Sequence, residues 1–491
     1  MRSLQLIAFL GLTGLLFVPA RAEESNFWPL AVKQTPTEAS APSEVAVSQG
    51  GPFGFGWWTA DGRSAGGVRP FYIFRKDPTE HVVEQDFLYP LVMRREYGPD
   101  VQWSLIDLVN FFGPKDRAAP GERHFDIWPI YFSRQTGNPA TTYHALFPIY
   151  GTVLNRLGYE RLSWILFPLY GRFEEHGVKT TATPWPFIKV IEGAGTHGFA
   201  LWPLFGWREK AGESSERYWL WPFVYRNRAH LDAPQPDEQL GVLPFYAREW
   251  TPDSRSETWL WPFFGYLHRR APDRYDEQHW FWPLLVQGRG DQRMVNRWAP
   301  LYTHSLRKGA DKRWVLWPLF RQERWTDAGL TQTKTQVAYF LYWSLRQRSA
   351  THHALAPAEK THLWPLFSYW DNGAGHHQFQ FLSPLEVFFQ DNEQVRLAYT
   401  PLFALYRFDR RAPDDVRWSL LWNAVTWHHE QSSREFHVGP LLGVVNRAGD
   451  RRIALGGGLI GLRRQGAAGW RLFLFDFSPK PVNLAPRAGS P

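Results

Sequence analysis

The 491-residue sequence contains no cysteine. This absence excludes disulfide bonds, thiolate metal sites and attachment of a lipid to an N-terminal cysteine. It also excludes the class of small secreted scaffolds that disulfides hold together. A chain of this length can instead be stabilised by buried apolar surface and backbone hydrogen bonds.

Long apolar runs are absent beyond residue 22, where no stretch approaches the roughly 18 residues that predict a membrane-spanning helix. Residues 1–22 have the pattern of a secretory signal peptide, with Arg2, an apolar core at 4–18 and the small-residue site Ala20-Arg21-Ala22. We expect cleavage after Ala22 and export of the rest of the chain. An uncleaved N-terminal anchor is the alternative, although a core of about 15 residues is short for one.

The sequence also has no strong excess of basic over acidic residues, or the reverse. Without Arg2 and Arg21, 53 basic and 47 acidic residues remain, which gives a formal charge of +6. Basic and acidic residues are interleaved in the connecting segments, so the sequence forms no basic stripe. We therefore predict no nucleic-acid partner.

The sequence lacks the motifs of nucleophilic, phosphate-binding and zinc-dependent catalysis. Neighbouring residues on an extended chain point to opposite sides, so adjacent acids or histidines do not by themselves form a catalytic or metal-binding pair. The adjacent pairs are Glu174-Glu175, Asp414-Asp415, His352-His353, His376-His377 and His428-His429. We predict no catalytic residue, no cofactor and no metal ligand, and hence a protein that is not an enzyme.

Aromatic residues, in contrast, are abundant: they make up 17% of the chain and include 27 Trp. They recur in one short sequence motif, called the apolar phrase here, in which Trp-Pro is flanked by Leu and Phe. The motif recurs at steps of about 20 residues, which is the signature of an internal repeat. We interpret the Trp of this phrase as a repeated packing position, with a stacking platform for sugar rings as the alternative. The structural repeat positions are Trp202, Pro203, Trp221, Pro222, Trp261, Pro262, Trp282, Pro283, Trp317, Pro318, Trp364 and Pro365.

The apolar phrases predict β-strands, because a proline at the centre of each would break a helix and because aromatic residues favour strands. We expect about 20 to 24 strands, each centred on one phrase with its proline at mid-strand. Connectors of about 4 to 10 residues join neighbouring strands as antiparallel hairpins. The predicted fold is an all-β, antiparallel up-and-down meander.

Two architectures fit this meander. Over about residues 53–477 the strand pattern resembles that of outer-membrane β-barrels as a class, which implies closure of the sheet in the outer membrane. Proline at mid-strand and the apolar character of both predicted faces oppose a barrel with a polar lumen. A soluble packed-sheet β-repeat structure is the alternative.

The sequence divides into residues 1–22 as signal peptide, 23–50 as N-terminal segment and flexible linker, 51–478 as β-repeat domain and 479–491 as disordered tail. We predict a non-enzymatic outer-membrane protein of the Gram-negative envelope, with a role as pore or export channel and with membrane lipid as a partner. The alternative is a soluble periplasmic or secreted aromatic-rich module that binds polysaccharide or another envelope protein.

Overall fold

The computed structural model describes residues 24–34, 44–59, 61–116, 118–352, 354–389, 392–447 and 449–476. The predicted signal peptide and the predicted C-terminal tail lie outside these residues. Over the described residues the fold is an all-β antiparallel meander of 45 strands. Two compact units divide the chain: residues 90–365 with 372–374 form the middle unit, and the described residues on either side form the terminal unit.

The terminal unit begins with seven strands. These are β1 (Ser25–Phe27), β2 (Ala31–Gln34), β3 (Glu44–Gln49), β4 (Gly54–Thr59), β5 (Ser64–Val68), β6 (Tyr72–Asp77) and β7 (Val82–Phe87). Strands β2 and β3 lie inside the segment predicted to be a linker, and they pair with each other. A further Trp-Pro pair, Trp28-Pro29, lies in the turn between β1 and β2.

The middle unit consists of hairpins of short strands. The strands are β8 (Val92–Tyr97), β9 (Asp100–Leu105), β10 (Val109–Pro114), β11 (Arg123–Ile127), β12 (Tyr131–Gln135), β13 (Tyr143–Leu146), β14 (Tyr150–Arg156), β15 (Tyr159–Ile165), β16 (Tyr170–Glu175), β17 (Val178–Ala182), β18 (Ile188–Gly193), β19 (Thr196–Leu201), β20 (Phe205–Lys210), β21 (Ser214–Trp219), β22 (Val224–Ala229), β23 (Asp237–Val242), β24 (Tyr246–Thr251), β25 (Ser254–Trp259), β26 (Phe264–Arg269), β27 (Tyr275–Trp280), β28 (Leu285–Gly290), β29 (Arg293–Trp298), β30 (Tyr302–Arg307), β31 (Ala310–Val315), β32 (Phe320–Asp327), β33 (Leu330–Val337), β34 (Tyr342–Ser349) and β35 (Ala358–Leu363). From β8 to β35, each strand pairs antiparallel with the next strand in sequence.

The remaining strands belong to the terminal unit. They are β36 (Phe367–Asp371), β37 (His377–Phe381), β38 (Tyr406–Ala412), β39 (Asp415–Leu420), β40 (Val425–Glu430), β41 (Ser433–Val438), β42 (Leu442–Arg447), β43 (Asp450–Leu455), β44 (Ile460–Gln465) and β45 (Arg471–Leu474). In the described part of the chain β1 and β45 do not pair, so the sheet is not closed.

One α-helix, α1 (Glu393–Ala398), interrupts the described strands and is followed by a 3-10 helix at Thr400–Phe403. The side chain of Asn392 caps α1 by accepting a hydrogen bond from the backbone N–H of Val395 at 2.9 Å. Ala398 packs against Phe55 and Ile73 in the core of the terminal unit. No helix among the described residues is long and apolar enough to span a membrane.

The predicted strand number is wrong, and the reason is the position of proline. A strand centred on its phrase would have Pro262 at its middle. Instead, β25 ends at Trp259, a turn occupies 260–263, and β26 begins at Phe264. Proline has no N–H to donate to a β-ladder, and the turn places it outside the ladder. The apolar phrase is therefore a strand end, a turn and a strand start, and the charged segments between phrases are strands as well.

Candidate functional site

The predicted repeat positions in Trp-Pro pairs all follow the end of a strand. In the turn at 260–263, the backbone N–H of Phe263 donates to the carbonyl oxygen of Leu260 at 2.9 Å. Leu260 has a φ of 43°, in the left-handed region, and the Trp261-Pro262 peptide bond is cis. The same hydrogen bond closes the turns Leu220 to Phe223, Phe281 to Leu284 and Leu316 to Leu319. The repeat therefore encodes one tight turn rather than one strand.

These turns lie along a single edge of the middle unit. Successive turns of an antiparallel meander alternate between its two edges. From the turn at 128–130 to the turn at 316–319, every second turn contains a proline, which is preceded by Trp in most turns and by Phe, Leu or Ala in the others. The exposed apolar side chains in these turns form what we call the apolar turn row. Its members are Trp128, Ile130, Ile149, Leu166, Leu169, Trp185, Phe187, Leu204, Leu220, Trp221, Phe223, Phe245, Leu260, Trp261, Phe263, Phe281, Trp282, Leu284, Leu301, Leu316, Trp317 and Leu319.

The tryptophans of the row are unusually accessible for their size. Trp221, Trp261, Trp282 and Trp317 are 49%, 45%, 45% and 56% exposed, respectively. Neighbouring turns nevertheless touch one another: the ring centroids of Phe167 and Trp185 lie 5.3 Å apart. Those of Trp202 and Trp221 lie 6.1 Å apart. Since turns on one edge recur every second strand, about 10 Å, the rings form a continuous apolar strip.

The opposite edge and the middle of the strands carry the charge. Glu238, the second residue of β23, accepts hydrogen bonds from Arg226 at 2.7 Å and from Arg248 at 2.9 Å. In the polar turns, His230 contacts Asp237 at 2.9 Å. The side chains along each hairpin thus change from charged at one edge of the sheet to aromatic and aliphatic at the other. Large exposed apolar patches of this kind mark interaction surfaces.

A groove opens in the middle unit beside the apolar turn row. It has a volume of about 470 Å³ and follows the hairpin of β14 and β15. Arg156 lies at the end of the groove that is nearer the charged edge of the sheet, and it donates a hydrogen bond to Asp126 at 2.7 Å. The groove is lined by Trp128, Pro129, Phe132, Phe147, Val153, Arg156, Leu157, Leu162, Ser163, Trp164, Phe167 and Phe173. We call this feature the hairpin groove.

The terminal unit buries a polar network that the sequence pattern did not predict. Arg417 Nε donates to Glu24 at 2.9 Å, and the backbone N–H of Glu24 donates to Glu435 at 3.1 Å. Burial alone would raise the pKa of the Glu24 carboxyl, but Arg417 holds this pKa below its ordinary value. In the sequence, only the alternating charged residues in β39 to β42 point to this network. Its other member, Glu24, lies far from these strands along the chain.

The acids and histidines considered for chemistry are dispersed. Glu174 pairs with Arg172 at 2.9 Å, and Asp415 pairs with His428 at 3.0 Å. His377 pairs with Asp371 at 2.9 Å. Within the described ranges no group of three or more His, Asp or Glu side chains is placed to hold a metal ion. His353 lies outside these ranges. The prediction that the chain is not an enzyme remains a prediction.

Comparison with known proteins gives no family assignment: no protein-family model matches the chain, and no curated protein matches it. The function must therefore be inferred from the geometry of the chain itself.

Proposed function

We propose that this protein is a non-enzymatic component of the Gram-negative outer membrane whose apolar turn row contacts lipid. The exposed apolar row along one edge, opposite a charged edge, is the observation that carries the proposal. Trp and Tyr concentrate at membrane interfaces because their rings are apolar while their N–H or O–H groups remain hydrated. The predicted signal peptide supports export to the envelope.

A polar substitution that keeps the backbone tests this proposal. Leu220, Leu260 and Leu316 all have a left-handed φ, between 43° and 48°, which asparagine tolerates. The triple variant Leu220→Asn/Leu260→Asn/Leu316→Asn should fold normally and lose vesicle binding. These leucines are about half exposed, so each forfeits about half of the roughly 1.5–3 kcal/mol of a fully buried side chain when it leaves lipid, and the three losses together should weaken binding roughly 50-fold or more.

The matched control places asparagine at left-handed positions of the charged edge: His230→Asn/Lys308→Asn/Ala328→Asn. Flotation with phosphatidylethanolamine and phosphatidylglycerol vesicles should be unchanged for this control. Equal flotation of both triple variants, or recovery of the wild-type protein in the soluble periplasm without detergent, would refute the proposal. Conductance across a planar bilayer tests the narrower prediction of a closed barrel that serves as a pore or export channel.

The second candidate function is a soluble periplasmic or secreted module that binds polysaccharide or another envelope protein. The half-exposed rings of Trp221, Trp261 and Trp282 favour it, since sugar rings stack on such surfaces. Retention on immobilised envelope polysaccharide, lost when these three residues become alanine, combined with failure to float with vesicles, would favour this function over lipid contact.

A further inference from the structure

The hairpin groove is elongated and apolar. It runs from Trp128 and Phe147, at the edge with the apolar turn row, to Leu157 in the turn at the opposite edge. Strand β14 between these ends has seven residues, which at about 3.3 Å per residue gives a length of about 23 Å. A groove of these proportions suits an extended chain better than a compact ring.

The polar groups of the groove wall already have partners. The Arg156 guanidinium pairs with Asp126, and Ser163 Oγ lies 2.9 Å from Thr152 Oγ1. Trp164 Nε1 donates to the carbonyl oxygen of Leu146 at 3.2 Å. A ligand in the groove is therefore offered apolar contact and few hydrogen bonds. A saccharide would leave its hydroxyls unpaired there, whereas a hydrocarbon chain would not.

Trp128 connects the groove with the surface proposed to meet lipid, because it both lines the groove and belongs to the apolar turn row. A hydrocarbon chain could pass from lipid at the row into the groove along a continuous apolar surface. We propose that the hairpin groove binds one acyl chain of a membrane phospholipid. This inference rests on the proposed function, since the row supplies the lipid and the groove selects one chain from it.

Photo-crosslinking tests the site directly. A phosphatidylcholine with a diazirine at the end of an 18-carbon acyl chain is incorporated into vesicles with the mature protein, and labelled peptides are identified by mass spectrometry. We expect labelling within residues 128–173. Val153 lies in the groove wall and is 3% exposed. Val153→Phe should fill the groove and reduce labelling about tenfold, because about two methylene groups of the acyl chain would lose their apolar contact. Val190→Phe, at a 39% exposed position outside the groove lining, is the matched control.

A second variant separates a binding defect from a folding defect. Leu157 is 73% exposed with a φ of 53°, so Leu157→Asn should preserve the fold and shorten the apolar groove at its far end. Labelling by the 18-carbon chain should fall severalfold, while labelling by a 10-carbon chain should not change. A general folding defect would reduce both. Equal labelling of residues 128–173 in wild type, Val153→Phe and Leu157→Asn would overturn the inference, whereas labels on other turns of the apolar turn row report its contact with lipid.

Vesicle flotation measured in parallel separates the two proposals. If the wild type floats but the groove is not labelled, the acyl-chain site is refuted and the lipid contact stands. If the wild type does not float, the proposed function fails. The groove is then tested with monomeric diazirine lysophosphatidylcholine, whose labels must still fall within residues 128–173 for the site to stand.

Discussion

Arg417 donates a hydrogen bond from Nε to the carboxylate of Glu24 at 2.9 Å, across 393 positions of sequence. The side chains are only 11% and 3% exposed. The pair joins the start of the described chain to β39 within the terminal unit. Asn26 adds a hydrogen bond to the carbonyl oxygen of Asn423 at 2.8 Å, so this N-terminal segment is part of the core.

Removal of Arg417 should destabilise the terminal unit strongly. Arg417→Met leaves the Glu24 carboxylate buried without its cation, a change that typically costs about 3–5 kcal/mol. The control is Arg226→Met, which removes a 45% exposed partner of Glu238 and should cost at most about 1 kcal/mol. Urea unfolding followed by near-ultraviolet circular dichroism measures both. Similar midpoints for the two variants would contradict the prediction.

Lowering the pH should weaken the same network because the Glu435 carboxylate becomes protonated. Burial alone would raise the pKa of its carboxyl, but His437, Arg447 and the backbone N–H of Glu24 lower the pKa from 4.5 to about 2. Because the folded-state pKa is below the unfolded one, the stabilisation is present above pH 4.5 and is lost as pH falls toward 2. The loss amounts to about 3 kcal/mol. Urea midpoints measured from pH 6 to pH 3 should fall less steeply for Glu435→Gln than for wild type.

His362 should produce a separate pH dependence in the middle unit. Its side chain is 2% exposed and packs on Trp343 with ring centroids 5.1 Å apart. Burial, with a smaller contribution from Lys360, lowers its pKa from 6.5 to about 4. The unfolded chain therefore takes up a proton first, and stability falls by about 3 kcal/mol as pH drops from 6.5 to 4. His362→Leu should abolish this step, whereas His230→Leu at an exposed turn should retain it.

Buried and exposed tryptophans should respond differently to truncation. Trp343 is 3% exposed, so Trp343→Ala leaves a cavity and should cost about 3–5 kcal/mol. Trp261 is 45% exposed in its turn, and Trp261→Ala should cost clearly less while reducing vesicle binding. Thermal unfolding and flotation measure the two effects. A larger loss of stability in Trp261→Ala would show that the turn row is packed scaffold rather than a contact surface.

The sequence by itself determined the all-β class and the antiparallel meander. Those features depend on local chemistry, namely prolines that exclude helix, aromatic residues that favour strands, and connectors too short for parallel crossovers. The repeat also marks Trp261 and Pro262 as equivalent to Trp282 and Pro283. Local chemistry could not decide whether the proline stands within a strand or between two strands, because the phrase is apolar in both cases.

Only the tertiary structure decided which edge carries each turn and which distant residues meet. Apolar and charged turns alternate along the chain. Once the strands pair in sequence order, the apolar turns all lie at one edge of the sheet. The hairpin groove requires side chains from β12 to β16 and their turns to converge, and no single segment contains enough of them. Glu24 and Arg417 are unremarkable charged residues in sequence. Their pairing depends on burial, which arises only when β1 packs against the C-terminal strands of its unit.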